Sequence, residues 1–141
     1  NRGTNFRIEK NHPNCIDGLK RPLHTIIPGL VLNDNKPILS YGVMGGQYQP
    51  VGHVHVLNNI FDYNMNPQEA LDFPRAFHFN NIYQLETGID KSIEDQLQKN
   101  GHNTFRVNDP HGGGQAIRID WKNGVLIGGS DQRKDGCALG I

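Results

Sequence analysis

The sequence predicts an α+β domain in which helices pack on an antiparallel sheet, and three observations carry that reading. Seventeen glycines and eight prolines in 141 residues demand many turns, which favours strands over a helical bundle. Turn signals at Asn33-Asp34-Asn35-Lys36 and Lys122-Asn123-Gly124 each join two extended apolar runs, the pattern of a β-hairpin. Between them lie segments whose apolar spacing and capping residues are those of helices.

Composition narrows the class. At 35% hydrophobic and 20% charged, residues 1–141 fit one ordinary globular domain, long enough to bury a core. Fourteen basic residues balance fourteen acidic ones, and the basic residues interleave with carboxylates rather than aromatics, which argues against a nucleic-acid partner. No apolar run approaches a membrane span and no signal-peptide pattern is present; a cytoplasmic setting is the expectation, with the compartment otherwise open. Cys15 and Cys137 could join in a long-range disulfide, but two free, buried thiols are expected. The chain opens on Asn1 rather than Met, and NRGTNFRI reads as entered in mid-element, the mark of a fragment or processed subunit.

Taken in order, residues 1–23 are polar and punctuated by His12-Pro13, Asp17-Gly18 and Arg21-Pro22, so they read as a loop leading out of a strand. HTIIPGLVL over 24–32 is β-branched and apolar; it predicts a buried strand with a bend or bulge at Pro28-Gly29. Residues 37–43 supply its partner. Val51, Val54, Leu57 and Phe61 recur at spacings of three and four, which predicts a helix over 47–63 with those residues as its apolar face. Asn66 as N-cap, Pro67 just inside and Glu69 in the first turn start a short second helix, which Pro74 ends. Short strands are predicted over 75–79 and 82–86 about the turn Asn80-Asn81. A compact helix over 90–100 follows, capped by Asp90 or Ser92, with Ile93 and Leu97 on one face and Gly101 as its left-handed stop. After a brief strand at 105–107, QAIRIDW over 115–121 alternates, with Ala116, Arg118 and Asp120 opposite Ile117, Ile119 and Trp121. Residues 125–128 return as the second arm of that hairpin.

Chemistry points first to SYGVMGGQYQPV over 40–51, where an extended run stops at Gly45–Gly46 and a helix begins with Pro50 in its first turn. A strand that turns through two glycines into a helix frees several backbone N–H groups at one point, and these can hold an anion or a developing oxyanion. A tight turn with no ligand fits the same residues and, on these alone, is the better reading. Seven histidines offer no metal spacing: His53-x-His55 falls on a predicted helix, where residues two apart diverge. His24-Thr25, at a strand mouth, could recognise a carboxylate or satisfy local backbone groups. Gly112-Gly113-Gly114 reads as a close backbone crossing, since no P-loop lysine follows. Asp131, Arg133 and Asp135 alternate in GGSDQRKDGCALGI and are expected to pair and pin the C-terminus.

Together, RPLHTIIPGLV, the GVMGGQ turn, NPQEALDFPRAFH and the closing GGSDQRKDGCALGI resemble the small subunit of the γ-glutamyltranspeptidase family, in order and over the whole chain. The resemblance implies part of an N-terminal nucleophile hydrolase αββα sandwich, with a threonine nucleophile freed by self-cleavage and its own α-amino group as base. It also implies a small acyl-amide substrate, a large subunit or N-terminal segment of the same precursor as partner, and no cofactor or metal. Gly45 and Gly46 match the family's oxyanion glycines. His24 and Thr25 fall where the γ-glutamyl enzymes have two serines for the substrate carboxylate. Asn5 falls near an aspartate for its ammonium group, with Arg2 beside the same pocket. Asn5 for aspartate removes a charge that would pair with the ammonium, and HTIIPG looks like the cephalosporin-acylase-like branch. Acyl donors without the amino-acid head group are therefore implied. Neither Thr4 nor Thr25 matches the nucleophile, which is expected before Asn1, so this chain alone is expected to be inactive and to expose apolar sheet surface. A carboxylate-binding module without chemistry, or a structural subunit, would use the same residues.

Overall fold

The computed structural model describes residues 2–140; Asn1 and Ile141 lie outside the described residues. Among the described residues, seven strands form two sheets, accompanied by three α-helices. The larger is antiparallel, in the order β1 (Gly29–Asn33), β2 (Lys36–Met44), β6 (Gly113–Asp120), β7 (Val125–Ser130). The smaller joins β3 (Ala76–Phe79), β4 (Ile82–Leu85) and β5 (Thr104–Arg106). Its β4–β5 pair is parallel, because α3 (Lys91–Lys99) crosses over between them.

Turn chemistry sets the hairpins. Asp34 and Asn35 have φ of 48° and 60°, and Asn80 and Asn81 have 52° and 60°, the left-handed values that short polar side chains tolerate. Strand β2 pairs with β6 from Leu39↔Arg118 to Met44↔Gly113, which puts Leu39, Tyr41, Val43 and Ala116 on one face. Two helices cover it. α1 (Gln49–Phe61) lies on β2, and α2 (Pro67–Asp72) on β6 and β7. The core is Leu39, Tyr41, Val43, Tyr48, Val56, Ile60, Ala70, Leu71 and Ala116, all buried. Each of the larger ones contributes roughly 1.5–3 kcal/mol by leaving water. At the start of α2 a capping box is complete: Glu69 N donates to Asn66 Oδ1 (2.9 Å) and Asn66 N to Glu69 Oε2 (2.8 Å).

Among the described residues, the other face of the large sheet has no second layer of helices. Leu30, Ile117 and Leu126 stand on it at 62%, 47% and 69% exposure. The C-terminal segment crosses part of it, with Ala138 beside Gly128 and Gly136 beside Ser130, and Pro28 lies against it at Gly42.

Several expectations need correction. Residues 24–28 are not strand: β1 starts at Gly29, because Pro28 has no N–H to extend the ladder, and Ile26 and Ile27 are exposed. β1 is an edge strand, and its irregularity falls between Val31 and Leu32, not at Pro28-Gly29. Helix α1 buries mainly a different stripe from the one expected, of which Leu57 alone is partly buried against the core. Gly52, Val56, Asn59 and Ile60 face the core, while Val51, Val54 and Phe61 are exposed. On α3, Ile93 is exposed and Glu94 is buried, bonded to Arg106 Nε (2.9 Å) and Thr104 Oγ1 (3.1 Å). The N-terminal loop contains a 3-10 turn over Arg2–Asn5 and a bridge between Arg7 and Cys15. Both cysteines are free, as expected, but neither is buried: Cys15 is half-buried and Cys137 exposed.

Candidate active site

The glycine turn is built as its sequence demands. Gly45 has φ 125° and ψ 22°, Gly46 has φ 59°, and a 3-10 turn over Gly46–Tyr48 then leads into α1 with Pro50 in its first turn. Tyr48 N donates to Gly45 O at 3.1 Å, closing the turn. The Gly45 and Gly46 amides have no acceptor among the described residues, and both residues are exposed. A side chain at Gly45 would crowd the Gly112 Cα and the Tyr48 ring, each 3.2 Å from its Cβ. One at Gly112, with φ 62°, would collide with Met44 O. The Gly112 loop is therefore a close backbone crossing against the turn.

Gly45 and Gly46 line a cleft of about 490 Å³ together with Thr25, Ile26, Ile27, Pro28 and Met44. Backbone amides meet apolar side chains there, and none of the lining residues is charged. Thr25, half-buried, is thus brought to the glycine pair. His24 is exposed and does not line the cleft. Arg2 and Asn5 sit in the N-terminal 3-10 turn, also away from the lining, and Asn5 O accepts from Asn14 Nδ2 at 2.7 Å. The structure brings together three of the six predicted site residues: Gly45, Gly46 and Thr25.

Behind the turn is a buried ionic cluster. Arg75 Nη2 donates to Asp131 Oδ2 at 2.6 Å, both side chains fully buried. Arg133 pairs with Glu86 (2.5 Å) and Asp131 (3.2 Å), and its remaining donors reach Leu71 O (2.8 Å) and Phe73 O (3.2 Å). The expected Asp131–Arg133 pair is there; among the described residues Asp135 joins no ion pair, and it ends the final 3-10 turn with φ 51°. Burial pushes the Asp131 carboxyl up, but the Arg133 amide and the charges of Arg75 and Arg133 outweigh it and hold the group below its ordinary range. Glu86 behaves alike: burial raises it, and Arg133 with the Arg75 and His111 amides brings it lower. Burial lowers His55 and His111, with the Arg75 and Arg133 charges acting the same way.

Sequence reasoning missed Arg75, Glu86, Tyr48 and His111. The Arg75–Asp131 and Glu86–Arg133 partners lie 56 and 47 residues apart, so no local pattern announces them. His53 and His55 diverge as expected, one ring against Tyr41 and the other against Phe73.

The profile of the family described as Gamma-glutamyltranspeptidase matches residues 1–141. The glutathione hydrolase-like YwrD proenzyme of Bacillus subtilis (strain 168) is 35% identical over all of this chain and 28% of its own length. The glutathione hydrolase proenzyme of the same organism is 29% identical over 98% of this chain and 24% of its own. The chain thus spans about a quarter of the curated relatives it matches. Among solved structures, the cephalosporin acylase of Bacillus halodurans superposes with a TM-score of 0.87 at 42% identity, over 94% of this chain and 25% of that one. An acivicin-inhibited gamma-glutamyltranspeptidase, whose C-terminus has critical roles in autoprocessing and catalysis, gives a TM-score of 0.85 at 30% identity over 96% and 80%. The fold is that of the N-terminal nucleophile hydrolases.

Proposed function

This chain belongs to the gamma-glutamyltranspeptidase family, and from that premise we propose that it supplies the oxyanion hole and part of the acyl pocket of an amide hydrolase or acyltransferase. The observation that carries the proposal is the pair of unpartnered amides at Gly45 and Gly46, lining a cleft with apolar walls. Such amides stabilise negative charge only as it develops, which is the requirement for lowering an acyl-transfer barrier.

In this account a threonine hydroxyl from elsewhere in the precursor attacks the substrate's amide carbon, losing its proton to the threonine's α-amino group. The carbonyl oxygen becomes an oxyanion held by the Gly45 and Gly46 N–H groups. The C–N bond breaks, the amine leaves with the transferred proton, and water or a second amine releases the acyl-enzyme. Thr25 borders the acyl group. Ile26, Ile27, Pro28 and Met44 suit an uncharged acyl chain, which supports a donor without an amino-acid head group over a γ-glutamyl one. His24, Arg2 and Asn5 are assigned to substrate recognition only through the family resemblance. The large subunit or N-terminal segment of the precursor covers the bare sheet face, and the chain alone is inactive.

Gly46→Val in the assembled enzyme tests the role of the turn. The expected result is a loss in kcat of about 100- to 1,000-fold with a much smaller change in KM. Parent-like turnover in a folded variant would refute the assignment.

A further inference from the structure

The oxyanion turn is not held by its own hydrogen bonds alone. The Tyr48 ring and the Gly112 backbone, themselves neighbours, both press on the side of Gly45 where a Cβ would stand. The Tyr48 ring is itself boxed in. His111 stacks on it with centroids 5.4 Å apart and planes at 22°, Phe77 meets it edge-on at 5.5 Å, and the Arg75 guanidinium lies 6.0 Å from its centre. His111, the residue before Gly112, has both main-chain groups anchored. Its N–H donates to Glu86 Oε1 at 2.8 Å, and its carbonyl accepts from Arg75 Nη1 at 2.7 Å. One residue therefore both stacks on the ring and carries the backbone that together back the turn.

We infer that His111 is a positioning residue for oxyanion stabilisation: its ring orients Tyr48, its anchored backbone orients Gly112, and the two together aim the Gly45 and Gly46 amides. The inference rests on the function proposed above and adds the part that makes the turn rigid. A rigid aim matters because donors give their full effect only when the transition-state oxygen arrives at a position they already serve. The His111 side chain itself does no proton chemistry in this account. It is lowered by burial and so uncharged at neutral pH, and it stacks as a flat aromatic ring.

The test compares His111→Phe with His111→Leu in the assembled enzyme, using a chromogenic acyl anilide and recording thermal midpoints alongside. Phenylalanine keeps a planar face against Tyr48; leucine keeps the bulk without it. The inference predicts that His111→Leu lowers kcat about tenfold or more while KM stays within about twofold, and that His111→Phe keeps at least about a third of the parent kcat. A folded His111→Leu with parent-like kcat would overturn it, as would equal losses in both variants. If His111→Leu does not fold, His111→Phe decides: retained kcat supports the stack and a tenfold loss overturns it. Gly46→Val is run in parallel. A crippled Gly46→Val beside an unaffected His111→Leu defeats this inference alone, whereas an unaffected Gly46→Val defeats the role of the turn.

Discussion

Gly45, at φ 125°, occupies a conformation closed to residues with a Cβ, and its neighbour Gly46, at φ 59°, one that is only unfavourable. Space separates them further. A Cβ on Gly45 meets Gly112 and Tyr48 at 3.2 Å, and a Cβ on Gly46 meets nothing within 4 Å. Gly45→Ala is therefore expected to destabilise by about 1–3 kcal/mol, and Gly46→Ala by roughly 1 kcal/mol. Denaturant midpoints of the two variants check the order; equal losses would contradict it. The pair was legible in sequence because two glycines between an extended run and a helix have a backbone reason to be there. Thr25 lines the cleft and His24 does not, because the strand expected to aim it begins only at Gly29. Tyr48 and His111 carry no sequence signal: their meaning comes from a stack that only the folded chain makes.

At the scale of elements, local chemistry was readable wherever it is self-contained. The capping box at Asn66 and Glu69 and the left-handed turns at Asp34-Asn35 and Asn80-Asn81 need no distant partner. Asn66→Ala should cost about 1 kcal/mol by leaving the Glu69 amide without its cap, measurable as a lowered denaturation midpoint. An unchanged midpoint would mean that the packing of α2 on β6 and β7 sets its start. Facing was harder to read. Helix α1 is apolar on two sides, and the one that packs inward contains Gly52 and Asn59 beside Val56 and Ile60. Asn59 is accommodated there because its Nδ2 donates to Ala70 O at 3.3 Å. Periodicity alone chose the more hydrophobic stripe, and tertiary packing buried mainly the other, keeping only Leu57 of the first partly covered.

Across the whole molecule, the sheet carries helices on one side and bare apolar residues on the other, while a buried ionic cluster ties α2, β4 and the C-terminal turn together. The bare side was anticipated from the family resemblance; the cluster was half visible, as Asp131 and Arg133. Its depressed carboxylates give a signed pH dependence. Asp131 and Glu86 contribute stability that is fully present above their unfolded values, near 4, and lost as pH falls through their lower native ones. His55 and His111, also lowered, remove stability earlier, as pH falls below about 6.5 and the unfolded imidazoles take up protons. Thermal midpoints should therefore decline in two stages on acidification; a flat profile from neutral pH to about 4 would contradict the histidine part. The claim on which the rest depends is that the Gly45 and Gly46 amides receive the reacting oxygen. Its most direct measurement is a crystal structure of the assembled enzyme with a boronic-acid analogue of an acyl group bound to the nucleophile. One boronate oxygen is expected about 2.7–3.1 Å from the Gly45 and Gly46 nitrogens. A tetrahedral adduct whose oxygens all face other donors would contradict it.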